Sequence, residues 1–150
     1  MASPIEVVTA VYRVTQDEEE VDLAAMISDP GWVRETSRYL HPGLEVRFVV
    51  PEASGVQVME RSEFEGLEGL QEGWQIWMQP WEQFRVRTEE LVDIGDGRVL
   101  LLAHATAVMK GSGIEIEQEV AGLHTVRDGR ITASWYYLDQ QQARRDAGLA

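Results

Sequence analysis

The sequence predicts an α+β domain, with helices first and a curled antiparallel sheet afterwards. Three observations carry this. Capped segments of helical periodicity fill the first half, apolar residues alternate with polar ones from Trp81 onward, and glycine-rich turns cut that alternation into consecutive strands. With 150 residues, 44% of them hydrophobic, the chain is long and apolar enough to bury a real core, so we read residues 1–150 as one domain. No Pro/Gly/Ser-rich linker or internal repeat divides it.

Ser3-Pro4-Ile5-Glu6 opens the first helix with an N-cap serine, a proline at the first helical position and a glutamate three after the cap. Val7, Val8, Val11 and Val14 then share one stripe, with Tyr12 beside them. Leu23, Ala24 and Ile27 form a second periodic segment that Asp29-Pro30-Gly31 breaks. Trp32, Thr36, Tyr39 and Leu40 mark a short third helix, stopped by His41-Pro42-Gly43, and Leu44 to Val50 alternates as a strand. Ser62 and Glu65 make a second capping box. Phe64, Leu67, Leu70, Trp74, Trp77 and Met78 follow at steps of three and four as one apolar helix face. Gly66, Gly69 and Gly73 lie on one stripe of that helix; each costs roughly 1 kcal/mol against alanine, so we expect the backbone there to approach a sheet closely. Pro80 ends the helix and puts Trp81 in the turn to the next strand.

Four strands are predicted over 82–94, 98–110, 113–127 and 130–138. Gly95-Asp96-Gly97, Gly111-Ser112-Gly113 and Asp128-Gly129 are their hairpin turns. Thr88-Glu89-Glu90 interrupts the first strand's alternation and predicts a bulge or bend. Asp139, with Gln142 three later, caps a last helix ending near Gly148.

Composition excludes several functions. Twenty-six acidic against thirteen basic residues give a net charge of -13, a field that repels phosphate backbones and anionic membranes. Lys110 is the one lysine, so neither nucleic acid nor a membrane is an expected partner. The run Asp17 to Glu20 reads as a solvated helix end. No apolar run is long enough to span a bilayer, and Met-Ala-Ser-Pro lacks the start of a signal peptide, so a cytoplasmic location is the default expectation. Without cysteine there is no disulfide, thiolate metal site or cysteine nucleophile. Three scattered histidines have no zinc spacing, and there is no phosphate loop, nucleotide fingerprint or nucleophile elbow; no cofactor or metal is expected.

"PWEQFRVRTEELVDIGDGRVLLL", "GSGIEIEQEVAGLHTVRDGRI" and "YYLDQQQARRDAGL" resemble the SnoaL-like branch of the nuclear-transport-factor-two-like superfamily, over nearly the whole chain. The resemblance implies a conical, strongly curved antiparallel or mixed sheet wrapped around the N-terminal helices, with a pocket between them. It does not imply one reaction, because isomerases, cyclases, epoxide hydrolases, dehydratases and non-catalytic adaptors share the superfamily.

Strand alternation nominates the residues that line such a pocket. In 113–127, Gln118 and His124 fall on the apolar side, opposite Glu115, Glu117 and Glu119. In 98–110, His104 and Thr106 interrupt a face made by Leu100, Leu102 and Val108. With Tyr12 and Tyr136, and with Phe48, Trp74 and Trp77 as walls, these form the expected site. His124, His104 and Tyr12 are its candidate catalytic groups. Thr106, Gln118, Tyr136, Trp74, Trp77 and Phe48 are candidate substrate-binding residues. Each could instead be a satisfied core residue. The other face of 98–110, with Leu101, Ala103, Ala105 and Ala107, would be a bare apolar patch and predicts a homodimer through the outer face of the sheet.

Of the family's known chemistries, the ketosteroid isomerase mechanism looks lost and the epoxide hydrolase activity is not supported. The resemblance places Tyr12 where ketosteroid isomerases hold a donor tyrosine, but the base falls near Arg47 or Phe48 and the second donor near Gly122, neither a carboxylate. Limonene-type epoxide hydrolases carry an arginine and two aspartates at positions that match His104, Thr106 and Tyr136. SnoaL-type cyclases use a histidine and an aspartate, and here only histidines fall on apolar faces. The expectation is a domain that holds a hydrophobic small molecule, with histidine acid–base isomerisation or cyclisation of a carbonyl compound, or a non-catalytic carrier or interaction module of the same fold.

Overall fold

The computed structural model describes residues 2–13, 20–49 and 63–149. Helix α1 (Pro4–Tyr12) starts as its sequence demands: Ser3 Oγ accepts from the Glu6 amide, and Arg13 closes the helix in the left-handed region at φ 49°. Strand β1 (Val21–Asp22) leads into α2 (Leu23–Ser28), capped by Asp22, and α3 (Pro30–Thr36), capped by Asp29. The Trp32 indole N–H donates to the Val11 carbonyl at 2.7 Å and ties α3 to α1.

Strand β2 (Leu40–Val49) begins earlier than expected. It runs through His41-Pro42-Gly43 as an irregularity between Leu40 and Glu45 instead of starting after it. Strand β3 (Glu63–Glu65) precedes α4 (Gly66–Trp77). The helix therefore opens three residues later than a Ser62 cap would set. Glu65 is its N-cap without a side-chain cap bond, Phe64 is a strand residue, and Ser62 lies outside the described residues, as does Val14 of the first stripe. The glycine stripe does what close approach requires. A Cβ on Gly73 would stand 2.6 Å from Phe48 Cε2, and one on Gly69 3.0 Å from Phe64 Cβ.

The meander follows: β4 (Trp81–Gly95), β5 (Arg98–Met109), β6 (Glu115–Arg127) and β7 (Arg130–Tyr137), then α5 (Gln140–Asp146) capped by Asp139. Trp81 is the first residue of β4, not of the turn. The predicted irregularity of the first meander strand is present as a register shift between Thr88 and Glu90. The sheet is mixed, in the order β1-β4-β5-β6-β7-β2-β3, with β2 and β7 its parallel pair.

Helices α1, α2 and α4 pack on one face and bury the main core, from Val7 and Val11 to Leu101 and Ile131. A second cluster, Leu100, Leu102, Ala121, Leu123 and Tyr137 with Ala143 and Ala147, lies on the opposite face under α5. At Leu100 and Leu102 the opposite face of β5 is thus covered within the chain as well. Leu101, Ala103, Ala105 and Ala107 are buried in the main core, so the apolar patch that pointed to a partner subunit is not on the outer face.

Candidate functional site

Between the helices and the concave face of the sheet lies a cavity with an almost wholly apolar wall. Its empty space, open mouth included, is about 720 Å³. Phe48 of β2, Trp74 and Trp77 of α4 and Phe84 of β4 form an aromatic wall. Phe48 and Trp77 stack at 6.0 Å between centroids, and Trp74 meets Phe48 and Tyr136 edge-on at 5.5 and 5.1 Å. The indole N–H groups of Trp74 and Trp77 are buried without a hydrogen-bond acceptor among the described residues. That of Trp74 favours the phenolate form of Tyr136 but does not reach hydrogen-bond geometry with it.

The polar groups gather on one side. The Tyr136 and Tyr12 hydroxyls are 2.5 Å apart, the Tyr12 hydroxyl is 3.3 Å from Ser134 Oγ, and Ser134 Oγ is 2.8 Å from His124 Nδ1. Local pairing explains the assembly. In the β6–β7 register His124 stands opposite Ser134 and Gly122 opposite Tyr136, so both pairs point to the same side, and α1 lays Tyr12 across them. Gly122 opens the way for the ring: a Cβ there would lie 2.6 Å from His124 Nε2.

Burial sets the proton affinities. Desolvation lowers the His124 pKa to about 3, so its imidazole is neutral. Burial raises Tyr12 well above its ordinary value, with the Tyr136 charge adding to it, and burial likewise raises Tyr136. Every member of the chain is held in its neutral form.

The structure brings together Tyr12, Tyr136, His124, Phe48, Trp74 and Trp77 of the predicted set at this cavity. It places the other three elsewhere. His104 is on the opposite face, where Nδ1 bonds to Glu119 at 2.5 Å and Nε2 lies 3.4 Å from Glu117. The Glu119 bond, ahead of that from Glu117, raises its pKa. Thr106 is buried on that same side between Arg85 and Glu117 of the adjoining strands. The cause is hairpin register. Val108 stands opposite Glu115, so odd positions of β5 share a face with even positions of β6, and the even positions of β5 turn outward. Gln118 has the expected parity but lies beyond the cavity, exposed, donating to the Leu138 carbonyl at 2.7 Å.

Ser134 was not among the predicted site residues. Its signal was available: it shares a strand face with Tyr136, two residues on, in an otherwise apolar setting. Phe84, Val86 and Thr88 of β4 also line the cavity. Among the described residues no group of histidine and carboxylate side chains is arranged to hold a metal, and no helix is long and apolar enough to cross a membrane.

No family model matches the chain, and no curated protein does. Solved structures do. An NTF2-like protein from Burkholderia thailandensis superimposes with a TM-score of 0.67 at 16% identity, covering 97% of both chains. TerC, crystallised with polyporic acid, gives 0.64 at 19% identity over 98% of this chain and 99% of its own. IdmH, a candidate polyketide cyclase from Streptomyces antibioticus, gives 0.61 at 19% over the same shares. The chain shares the fold of these NTF2-like and SnoaL-like proteins.

Proposed function

We propose that this SnoaL-like chain binds a neutral, largely apolar carbonyl compound in its cone and isomerises or cyclises it by acid–base chemistry. The observation that carries this is the buried Tyr136–Tyr12–Ser134–His124 chain at one side of an aromatic cavity. Among the described residues that line the cavity there is no Arg, Lys, Asp or Glu, so a charged ligand would lose its hydration with no partner among them. The aromatic walls suit a planar ring system. The tyrosine hydroxyls supply donors to a carbonyl oxygen on which negative charge develops, and His124 supplies the base. That one structural neighbour holds polyporic acid and another is a candidate polyketide cyclase supports a small organic ligand in this fold.

A carrier without turnover is the second reading. It is favoured by the His124 pKa of about 3, which makes a free imidazole a weak base.

A β,γ-unsaturated octalone, a neutral bicyclic ketone, separates the readings. Binding quenches the fluorescence of Trp74 and Trp77, and isomerisation creates a conjugated enone seen by ultraviolet absorbance. We expect both, with a naphthalene carboxylate of similar size bound at least about tenfold more weakly, a difference of ~1.4 kcal/mol. Quenching without isomerisation supports the carrier. Equal affinity for the carboxylate sinks the neutral-ligand reading.

A further inference from the structure

We propose that Tyr136, Tyr12, Ser134 and His124 form a closed proton wire, both ends of which open into the cavity, so that one substrate is deprotonated at one end and protonated at the other. The inference rests on the acid–base reading above and names the residue on which it turns. Ser134 is not among the cavity-lining residues, whereas Tyr12, Tyr136 and His124 are. Only 1% exposed, Ser134 joins His124 to Tyr12 without meeting the ligand. It is a positioning residue that acts through its neighbours.

The hydrogen bonds can run in either direction. A hydroxyl has one proton and accepts as well as donates, and a neutral imidazole donates from one nitrogen and accepts at the other. In one direction Nδ1–H donates to Ser134, Ser134 to Tyr12 and Tyr12 to Tyr136. The Tyr136 proton is then free for a ligand oxygen, and Nε2 presents a lone pair. His124 lines the cavity, Nε2 is the ring nitrogen not bonded to Ser134, and the missing side chain of Gly122 is what lets the ring lie there.

With a β,γ-unsaturated ketone between the ends, Nε2 takes the proton from the carbon between carbonyl and alkene. That C–H pair becomes a C=C bond, and the carbonyl π pair moves to oxygen, which takes the Tyr136 proton. Tyr136 takes the Tyr12 proton, Tyr12 that of Ser134, and Ser134 the one on Nδ1. Four groups each gain and lose one proton, and all remain neutral. The dienol then takes the Nε2 proton at its γ carbon while its O–H returns to Tyr136. The wire runs back to its first direction, and the conjugated ketone leaves.

This accounts for a histidine of such low proton affinity at the site. A separated imidazolium and tyrosinate would both be penalised by the burial that surrounds them, and the wire never forms either. The 3.3 Å step between Tyr12 and Ser134 is its longest link and the one ligand closure must shorten.

The test is octalone isomerisation by Ser134→Ala and Ser134→Thr. The alanine variant removes one link and leaves the cavity wall intact. We expect octalone affinity within about twofold of the parent and kcat lower by roughly 10²-fold, the scale of one acid–base contribution. Threonine restores the hydroxyl and most of the rate. In mixed H₂O/D₂O the parent shows a curved dependence of kcat on deuterium fraction, from several protons in flight, and the alanine variant a straight one. If Ser134→Ala does not fold, Tyr12→Phe cuts the wire one link further on and must lose the curvature too. A parent that binds octalone and isomerises it, with unchanged kcat in Ser134→Ala, overturns the wire and leaves the acid–base reading standing. A parent that does not isomerise octalone overturns both.

Discussion

His124 and His104 sit on adjacent strands and face opposite sides of one sheet. The first is 1% exposed, touches Ser134 and has its pKa pressed down to about 3 by burial. The second is held between two glutamates at the surface, and the Glu119 bond pushes its pKa up. The same side chain is therefore a permanent neutral donor–acceptor on the concave side and a cation-in-waiting on the convex side. Proton affinity here is a property of the neighbours, not of the residue type. The concave side, where no described lining residue is charged, is the one on which the proposed wire of neutral groups lies.

The contrast breaks most visibly in acid. In the folded protein His124 binds no proton until the pH approaches 3, while in the unfolded chain it does so near 6.5. Between those values the unfolded state holds more protons, so this residue's contribution to stability falls as pH falls. Over a gap of about 3.5 pH units the loss reaches roughly 5 kcal/mol at most. His124→Gln, which keeps a polar group for Ser134, should flatten the difference in urea-unfolding free energy between pH 6.5 and pH 3.5. An unchanged slope would mean the ring is protonated in the fold, and the neutral wire would go with it.

The next effect concerns room instead of charge. Gly122→Ala would put a Cβ 2.6 Å from His124 Nε2 and 3.2 Å from Cε1, inside a core where the ring cannot swing out to water. Overpacking of this kind costs ~1–3 kcal/mol. The variant should show a lower urea midpoint with an unchanged denaturant slope, and slowed octalone isomerisation, because the displaced ring blocks the base end. A variant as stable as the parent would show that the ring has freedom this packing denies it.

How much of this was legible in the sequence depends on how local each feature is. The α1 cap at Ser3 and Glu6, the α5 cap at Asp139 and the register shift after Thr88 are written in a few adjacent residues, and each stands where its pattern placed it. Strands β1 and β3, two and three residues long, carry no period to read. The concave side of β6 and β7 was legible because alternation within one strand needs no knowledge of its neighbour. The side of β5 was not. It depends on the loop joining Met109 to Glu115, and pairing Val108 with Glu115 turns His104 and Thr106 out and Leu101 and Ala103 in. A one-residue slip in that pairing would have exchanged them. Ser134 escaped for another reason: a small hydroxyl among apolar neighbours reads as core filling until its partners are seen.

The smallest effect is the sharpest check on the face assignment. His104→Ala removes a surface group with two carboxylate partners, and exposed pairs of this kind are worth at most about 1 kcal/mol. Its pKa is raised in the fold, so its contribution is fully present below the unfolded value near 6.5 and is lost as pH rises through the folded value. The stability gap between parent and variant should be small at pH 6 and vanish in alkali, the reverse of the trend at His124. Octalone affinity and turnover should not change, since no link of the wire and no cavity-lining residue is touched. A marked fall in turnover would put the imidazole of His104, not that of His124, in the reaction, and would reverse the sense in which the two faces of the sheet have been told apart.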